Sequence, residues 1–312
     1  KCLQGLNFGL PTGIPEIDKS QGGLQRSAIY GVAAGPKVGK TTFVDYSMVI
    51  SPYLYYLSEL EKGNPKNISI EWIYFSFEID RVKKEFKYVV FFMYHDHNIT
   101  HFKWKDEVHE INPNYLEGKM KDNDGETIIP TEEHQNIAME IYERRIIPLF
   151  GEYSVSGKQI KKGYITFIEN KDNPTGLRNW LFAHANKYGE FVREGGKTNK
   201  RITGYKSKNP NKYTIIVTDH LRKLLPEKGF QKKQIVDKYI EYSVEFRNWC
   251  GWTFAHIIHL NRSMTDVQRQ KQFGDQLFPS SDDIKDTGET KHNYVFICFI
   301  ASNIVYLMKI KI

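Results

Sequence analysis

Cysteine is scarce and long apolar runs are absent in this 312-residue sequence. The three cysteines, Cys2, Cys250 and Cys298, lie far apart and form no Cys-x-x-Cys pair, which argues against a disulfide framework or a cysteine-rich zinc site. No apolar stretch approaches the roughly 20 residues that cross a bilayer, and residues 1–10 lack the layout of a secretory signal. We therefore expect a cytoplasmic protein with no membrane partner.

The charge balance and apolar content indicate a folded protein with a mild basic excess. Lysine and arginine number 44 against 37 aspartate and glutamate, which gives a formal net charge of +7. Hydrophobic residues make up 40% and aromatic residues 14% of the chain, too much for a disordered protein. A basic excess of this size suits a polyanionic partner but is common in proteins without one, so nucleic-acid binding needs support from motifs.

The two ends of the sequence are not those expected of a complete gene product. The chain starts at Lys1 rather than at methionine, and it stops at Ile312 within the apolar stretch 304–312. We therefore expect a fragment of a longer protein.

Continuous apolar runs alternate with segments of helical character. Helical patterns cover 40–49 and 82–94, each directly after an apolar run. The pattern predicts five buried strands, at 28–33, 70–77, 213–218, 253–260 and 294–300. Such an alternation is typical of a parallel sheet covered by helices on both faces, so the predicted fold class is α/β.

The stretch from residue 95 to residue 212 differs in composition from its surroundings. It separates the second and third predicted strands, is rich in charged residues, Asn and Gly, and is weak in apolar periodicity. We expect one domain over residues 1–312 that carries a large insertion at about 95–212.

The turn between the first strand and its helix carries a phosphate-binding pattern. It follows the P-loop spacing of two small residues and a Lys-Thr pair, with Ala34 at the position where the strict pattern has glycine. In such a loop the backbone N–H groups surround phosphates, Lys40 contacts the β and γ phosphates and the Thr41 hydroxyl binds Mg²⁺. The alternative is a Gly-Pro turn beside a surface lysine. The pattern predicts ATP and Mg²⁺ as cofactors, with contacts from Ala34, Gly35, Pro36, Lys37, Val38, Gly39, Lys40, Thr41 and Thr42.

Hydrolysis requires two further carboxylates, which are expected at strand ends. Asp219 ends the apolar run 215–219 and is assigned to the metal; the alternative is a turn or capping aspartate. Glu78 ends the second predicted strand and is assigned as the general base; the alternative is a solvated strand end.

Several short blocks together resemble the RecA-like ATPases. The opening 9–18, then Gly22 to Leu24, then strand and P-loop resemble the start of that core. Within the superfamily the sequence is most similar to replicative hexameric helicases of the DnaB type, phage members above all. The blocks that carry this likeness are 75–78, 217–220, 259–263 and 283–289, in the expected order. The resemblance implies a RecA-like P-loop NTPase core with a mostly parallel central sheet and helices on both faces.

The resemblance also implies roles for individual residues. It gives Lys40, Thr41, Glu78 and Asp219 the same functions as the chemical argument. His259 matches the strand-end position of a γ-phosphate sensor, whereas on its pattern alone it is a satisfied core histidine. Departures are Lys285, Asp286 and Thr287, where the family usually has Arg, Glu and Ser, and the place of the trans-acting arginine finger, where only Lys309 and Lys311 occur.

The resemblance further implies nucleic acid as a partner. Hexameric helicases hold single-stranded DNA in the channel of a ring, and two basic loops match the loops that line it. The residues assigned to DNA are Arg222, Lys223, Arg262, Arg269 and Lys271. Contacts of this kind are to phosphates, so binding should be independent of sequence and strongly dependent on salt. A primase or a helicase loader is a further expected partner.

The sequence thus favours an ATP-dependent replicative DNA helicase motor that works as a ring, with a hexamer expected. Two alternatives remain open from the residues. A recombinase would share Lys40, Glu78 and Asp219 and form a filament on DNA. A nucleotide-dependent binding module would use ATP as a switch for a protein partner without unwinding.

Overall fold

The computed structural model describes most of the chain. Backbone and side chains are described for residues 9–34, 38–195 and 201–259, and the backbone alone for 296–301 and 304–309. The fifth predicted strand is therefore described as backbone only. Gly35, Pro36 and Lys37 of the phosphate loop, Arg262, Arg269 and Lys271, and the block 283–289 lie outside the described residues.

Strands and helices alternate along the described residues. The strands are β1 Ile29–Ala34, β2 Ser69–Ser76, β3 His101–Trp104, β4 Glu107–Glu110, β5 Gly151–Tyr153, β6 Gln159–Lys162, β7 Ile165–Ile168, β8 Gly189–Glu194, β9 Arg201–Ser207, β10 Lys212–Asp219, β11 Thr253–His259, β12 Phe296–Ala301 and β13 Ile304–Lys309. The α-helices are α1 Pro15–Gln21, α2 Lys40–Val44, α3 Ser51–Glu61, α4 Arg81–His97, α5 Pro113–Leu116, α6 Glu132–Ile141, α7 Ile147–Phe150, α8 Pro174–Tyr188 and α9 Lys232–Cys250. Two π-helical segments, Asp45–Ile50 and Tyr142–Ile146, and a 3₁₀ turn, Leu221–Lys223, complete them. Among the described residues, no helix has both the length and the apolar character needed to cross a membrane.

Six strands of the central sheet have the order β13-β12-β1-β11-β10-β2. Neighbours from β12 to β2 run parallel, and β13 pairs antiparallel with β12. Every residue of β1 is buried, as are the last six residues of β10. Burial on both faces explains why these strands read as continuous apolar runs. The α/β fold with a mostly parallel sheet is confirmed, and the five predicted strands match β1, β2, β10, β11 and β12 to within two residues at each end.

The chain divides into two compact units rather than into one domain with an insertion at 95–212. The first unit comprises residues 1–77 and 170–312, and the second comprises 78–169. The second unit therefore begins before the expected insertion, at Glu78, and ends at Glu169. Residues 170–212 belong to the first unit, because they pack on its last described helix.

Helix α8 and the β8–β9 hairpin are held to α9 by aromatic side chains. Phe182 of α8 lies 4.9 Å from Phe246 of α9 between ring centroids. From the hairpin, Phe191 packs on Trp249 at 6.0 Å, and the Tyr205 hydroxyl donates to the Ala185 carbonyl at 2.8 Å. The expectation that 197–212 is a basic link without apolar packing is therefore incomplete, since β9 contributes Tyr205 to this contact.

The second unit has its own apolar core around α4. Asp80 caps the start of α4 by accepting the backbone N–H of Lys83. Tyr88 on this helix packs edge-on against Phe150 at 5.2 Å between ring centroids. A second aromatic contact stacks Phe102 of β3 on Tyr115 of α5 at 3.9 Å. Aromatic pairs of this kind stabilise a small core beyond the area they bury.

The helix that follows the phosphate loop is longer than the predicted 40–49. It continues from α2 through the π-helical segment into α3, up to Glu61. Two residues of β2 hold the π-helical segment to the sheet: the Tyr74 hydroxyl donates to Asp45 Oδ1 at 2.9 Å, and Trp72 Nε1 donates to the Met48 carbonyl at 2.8 Å. A helix fixed in this way gives the loop before it a rigid support.

Candidate functional site

The carboxyl ends of four parallel strands meet at one edge of the sheet. In the register of the sheet, Ala34 at the end of β1 is paired with His259 at the end of β11. Asp219 at the end of β10 is paired with Ser76 at the end of β2. In open α/β sheets, ligands bind outside the carboxyl ends of the strands. The phosphate loop, Asp219 and His259 therefore share the edge at which a ligand is expected.

The residues at the end of the phosphate loop have the conformation that its pattern requires. Gly39 caps α2 with a φ of 81°, in the left-handed region that glycine adopts at no steric cost. A Cβ added to Gly39 would meet no atom within 4 Å, so the backbone angle, and not crowding, is what requires glycine here. Lys40 opens the helix and is buried, whereas Val38 is half-buried and Thr42 is exposed on the first turn.

Thr41 and Asp219 form the central contact of the site. The Thr41 hydroxyl donates to Asp219 Oδ2 at 3.0 Å. Asp219 is almost completely buried, with 1% of its surface exposed. A hydroxyl and a carboxylate are oxygen ligands of the type that Mg²⁺ prefers. The donor set fits the predicted metal, and these two predicted ligands are brought together from positions 178 residues apart.

Glu78 follows the strand next to Asp219. It is exposed and comes directly after Phe77, whose backbone N–H donates to the Asp219 carbonyl at 2.8 Å. Glu78 is the first residue of the second unit. Its role as general base remains a prediction.

His259 makes a contact that the sequence did not indicate. Its Nε2 lies 3.3 Å from Nε2 of His220, and the two rings meet edge to face with centroids 4.4 Å apart. His220 follows Asp219 through a cis peptide bond and is 4% exposed. The only sequence signal for His220 is its position directly after the metal-binding aspartate, which does not distinguish a site residue from a turn residue.

A second histidine on β11 shows what a core histidine looks like in this protein. His256 is completely buried, and burial lowers its pKa to about 3, so the ring is neutral at physiological pH. His259, three residues later, is half-buried at the strand end. The position of His259 at the edge of the sheet therefore distinguishes it from the core histidine on the same strand.

The predicted DNA-binding residues fall into two groups. Arg222 and Lys223 are exposed on the 3₁₀ turn that follows His220. This turn lies at the same edge of the sheet as Asp219. Arg262, Arg269 and Lys271 are outside the described residues.

Comparisons with known proteins place the fold. No protein-family model matches the sequence, and no curated protein is similar to it. One solved structure that resembles the chain is described as a DnaB-like replicative helicase and its interactions with primase: the TM-score is 0.56 and the identity 15%, over 98% of this chain and 58% of that one. Another is the ATPase domain of a phage helicase, with a TM-score of 0.57 and 15% identity, over 98% of this chain and 84% of that one. This chain thus spans little more than half the length of the DnaB-like helicase that it resembles, and it has the fold of DnaB-like helicase ATPase domains.

Proposed function

We propose that the chain is the ATPase motor of a replicative DNA helicase, which couples hydrolysis of Mg-ATP to translocation on single-stranded DNA and to duplex unwinding. The observation that carries this proposal is the contact of Thr41 with Asp219 at 3.0 Å, in the fold of helicase ATPase domains. It joins the start of the phosphate-loop helix to a buried carboxylate, as a metal-dependent phosphate site requires.

Each residue of the site has a defined task in the proposed reaction. Residues 34–42 bind the triphosphate, with Lys40 on the β and γ phosphates and backbone N–H groups around them. Thr41 and Asp219 hold Mg²⁺, which, when bound, supplies positive charge against the charge that develops on the phosphates. Glu78 removes a proton from the attacking water. His259 detects the γ phosphate.

Burial of the contact residues supports these tasks. Lys40 and Asp219 are 7% and 1% exposed, respectively. A charge–phosphate interaction in a water-poor site is stronger than the same interaction at the surface. The site therefore favours a polyanionic ligand that brings its own cation.

DNA is the partner that the exposed cations suit best. Arg222 and Lys223 lie on the turn that directly follows Asp219 and His220. A change at the nucleotide therefore has a short path along the chain to groups that bind phosphates. We propose that these two residues, with Arg262, Arg269 and Lys271, contact the DNA backbone, and that the protein acts as a ring, with a hexamer expected. The neighbour described with primase makes a primase or a loader a reasonable further partner.

The steady-state ATPase rate at low salt, with and without single-stranded DNA, tests the proposal. We expect strong stimulation by DNA in the unmodified chain. Glu78→Gln should bind ATP normally and lose about 10²- to 10⁴-fold in rate, because the attacking water is no longer deprotonated. The matched control Glu61→Gln, at an exposed helix end, should behave as the unmodified chain.

Assembly and unwinding then separate the helicase from its rivals. Displacement of a strand from a forked duplex, together with closed rings in electron micrographs, would support the helicase. Helical filaments on DNA would identify a recombinase. Nucleotide binding without DNA stimulation would favour a switch module and contradict the proposal.

A further inference from the structure

His220 and His259 come from neighbouring strands and meet side chain to side chain. His259 ends β11, and His220 follows the last residue of β10. Strands β10 and β11 are adjacent and parallel, so their carboxyl ends lie side by side. The Nε2 atoms of the two rings are 3.3 Å apart, which is within hydrogen-bonding distance.

The hydrogen bond at the other nitrogen of His220 determines how the pair is arranged. His220 Nδ1 accepts the backbone N–H of Arg222 at 3.2 Å. An accepting nitrogen carries no proton, so the neutral ring of His220 carries its proton on Nε2. His220 Nε2 is then the donor to His259, and His259 carries its own proton on Nδ1.

This arrangement fixes both the orientation and the tautomer of His259. A histidine at a strand end can rotate about its side-chain bonds, and the partner that its ring finds sets its direction. His220 is 4% exposed and has little room to move. The other end of the His220 ring is bound to the first residues of the basic turn, next to Arg222 and Lys223.

We propose that His220 is a positioning residue for His259, and that the pair links the γ-phosphate position to the basic turn Leu221–Lys223. The inference rests on the proposed function, in which His259 detects the γ phosphate. Loss or movement of His259 changes the partner of His220 Nε2, and the bond from Arg222 transmits that change to the turn. His220 itself need not touch the nucleotide.

The alternative role of His220 is that of a helix cap alone. Its Nδ1 satisfies the N–H of Arg222 in the manner of a capping side chain, and this bond would stabilise the turn without any effect on nucleotide recognition. Two substitutions separate the roles. Asn places its side-chain oxygen close to the position of Nδ1 and keeps the cap, but does not reach His259. Gln places its amide near the position of Nε2 and keeps the contact with His259, but loses the cap.

The test measures the affinities of the full chain for a non-hydrolysable ATP analogue and for ADP, each with Mg²⁺, by titration calorimetry. The quantity compared is the ratio of the two affinities, which requires neither hydrolysis nor DNA. We expect His259→Asn to lower the preference for the triphosphate about tenfold, as for a lost hydrogen bond to a charged group. His220→Asn should lower it by a similar factor, and His220→Gln should retain most of it. His101→Asn, at an exposed histidine of the second unit, is the control.

The double variant provides a second readout. If the two histidines act as one unit, His220→Asn added to His259→Asn should cause no further loss in the ratio. Thermal unfolding of each variant establishes that the comparison is made on folded protein.

The outcomes distinguish the inference from the proposed function. If the unmodified chain binds neither nucleotide, or if His259→Asn leaves the ratio unchanged, the proposed site is wrong and the inference is overturned with it. If His259→Asn lowers the ratio but His220→Asn does not, only the inference is overturned. Equal loss in His220→Asn and His220→Gln, or loss in the Gln variant alone, also overturns it, because a cap or a packing role predicts that order.

Discussion

Thr41 and Asp219 are joined by a hydrogen bond of 3.0 Å although 178 residues separate them in the chain. One side chain comes from the first turn of the helix after β1, and the other from the end of β10, which is separated from β1 by β11. The contact forms only when both strands are in the sheet and the loop is in place. Folding of the sheet and assembly of the metal site are therefore the same event.

The Thr41 hydroxyl should be required for the use of Mg²⁺. Thr41→Val keeps the shape of the side chain and removes the hydroxyl, so we expect at least a roughly tenfold higher Mg²⁺ requirement for ATP hydrolysis. Thr41→Ser keeps the oxygen and should stay near the unmodified chain. The measurement is the ATPase rate as a function of Mg²⁺ concentration, with Thr203→Val on an exposed strand as control. The same Mg²⁺ dependence in Thr41→Val and in the unmodified chain would contradict the assignment.

Neutralising the basic turn should weaken DNA binding without a change in nucleotide affinity. In the double variant Arg222→Gln, Lys223→Gln, two phosphate contacts are lost. The plot of log affinity for single-stranded DNA against log salt should then become less steep by about 1.4, since each contact contributes about 0.7. Fluorescence anisotropy of a labelled oligonucleotide at several salt concentrations gives the slope. The double variant Lys19→Gln, Lys62→Gln removes two exposed lysines elsewhere and should leave the slope unchanged. If both double variants have the slope of the unmodified chain, the turn is not part of the DNA-binding surface.

The sequence was sufficient to predict the elements whose signal is local. Strands β1 and β10 are buried on both faces, so they are continuous apolar runs that end at Ala34 and Asp219. The glycine at 39 is fixed by its own backbone angle, which is also a local requirement. These features were enough to predict the α/β class and the approach of Thr41 to Asp219.

The features that could not be predicted depend on tertiary contacts. The position of residues 170–212 is decided by Phe182, Phe191 and Tyr205 against α9, and no periodicity in that stretch indicates such a partner. The pairing of His220 with His259 depends on β10 and β11 being neighbours, which the sequence alone does not specify. A histidine after an aspartate has no pattern that separates a positioning role from a turn.

Tyr74 should contribute to stability through the buried carboxylate of Asp45. Tyr74→Phe removes the donor and leaves Asp45 Oδ1, in a residue that is 5% exposed, without this hydrogen bond. We expect the free energy of unfolding to fall by about 1–3 kcal/mol, the usual range for a buried acceptor that loses its partner. Urea denaturation measures the change. Tyr94→Phe, at a tyrosine that is 56% exposed, should change stability much less, and an equal effect of the two substitutions would show that the hydroxyl of Tyr74 has no special role.

Glu71 should make stability depend on acid pH. Burial alone would raise the pKa of this carboxyl group, but ion pairs with His184 and Lys212 outweigh burial and lower the pKa to about 2. The ordinary pKa of a glutamate is 4.5, so folding favours the ionised form. The stabilisation is fully present above about pH 4.5 and is lost as the pH falls towards 2. In Glu71→Gln, the difference in unfolding free energy from the unmodified chain should be largest at neutral pH and should shrink between about pH 5 and about pH 2.5. Urea denaturation across this range gives the difference, with Glu61→Gln as the exposed control. A difference that stays constant with pH would mean that Glu71 stabilises the protein by packing and not by its charge.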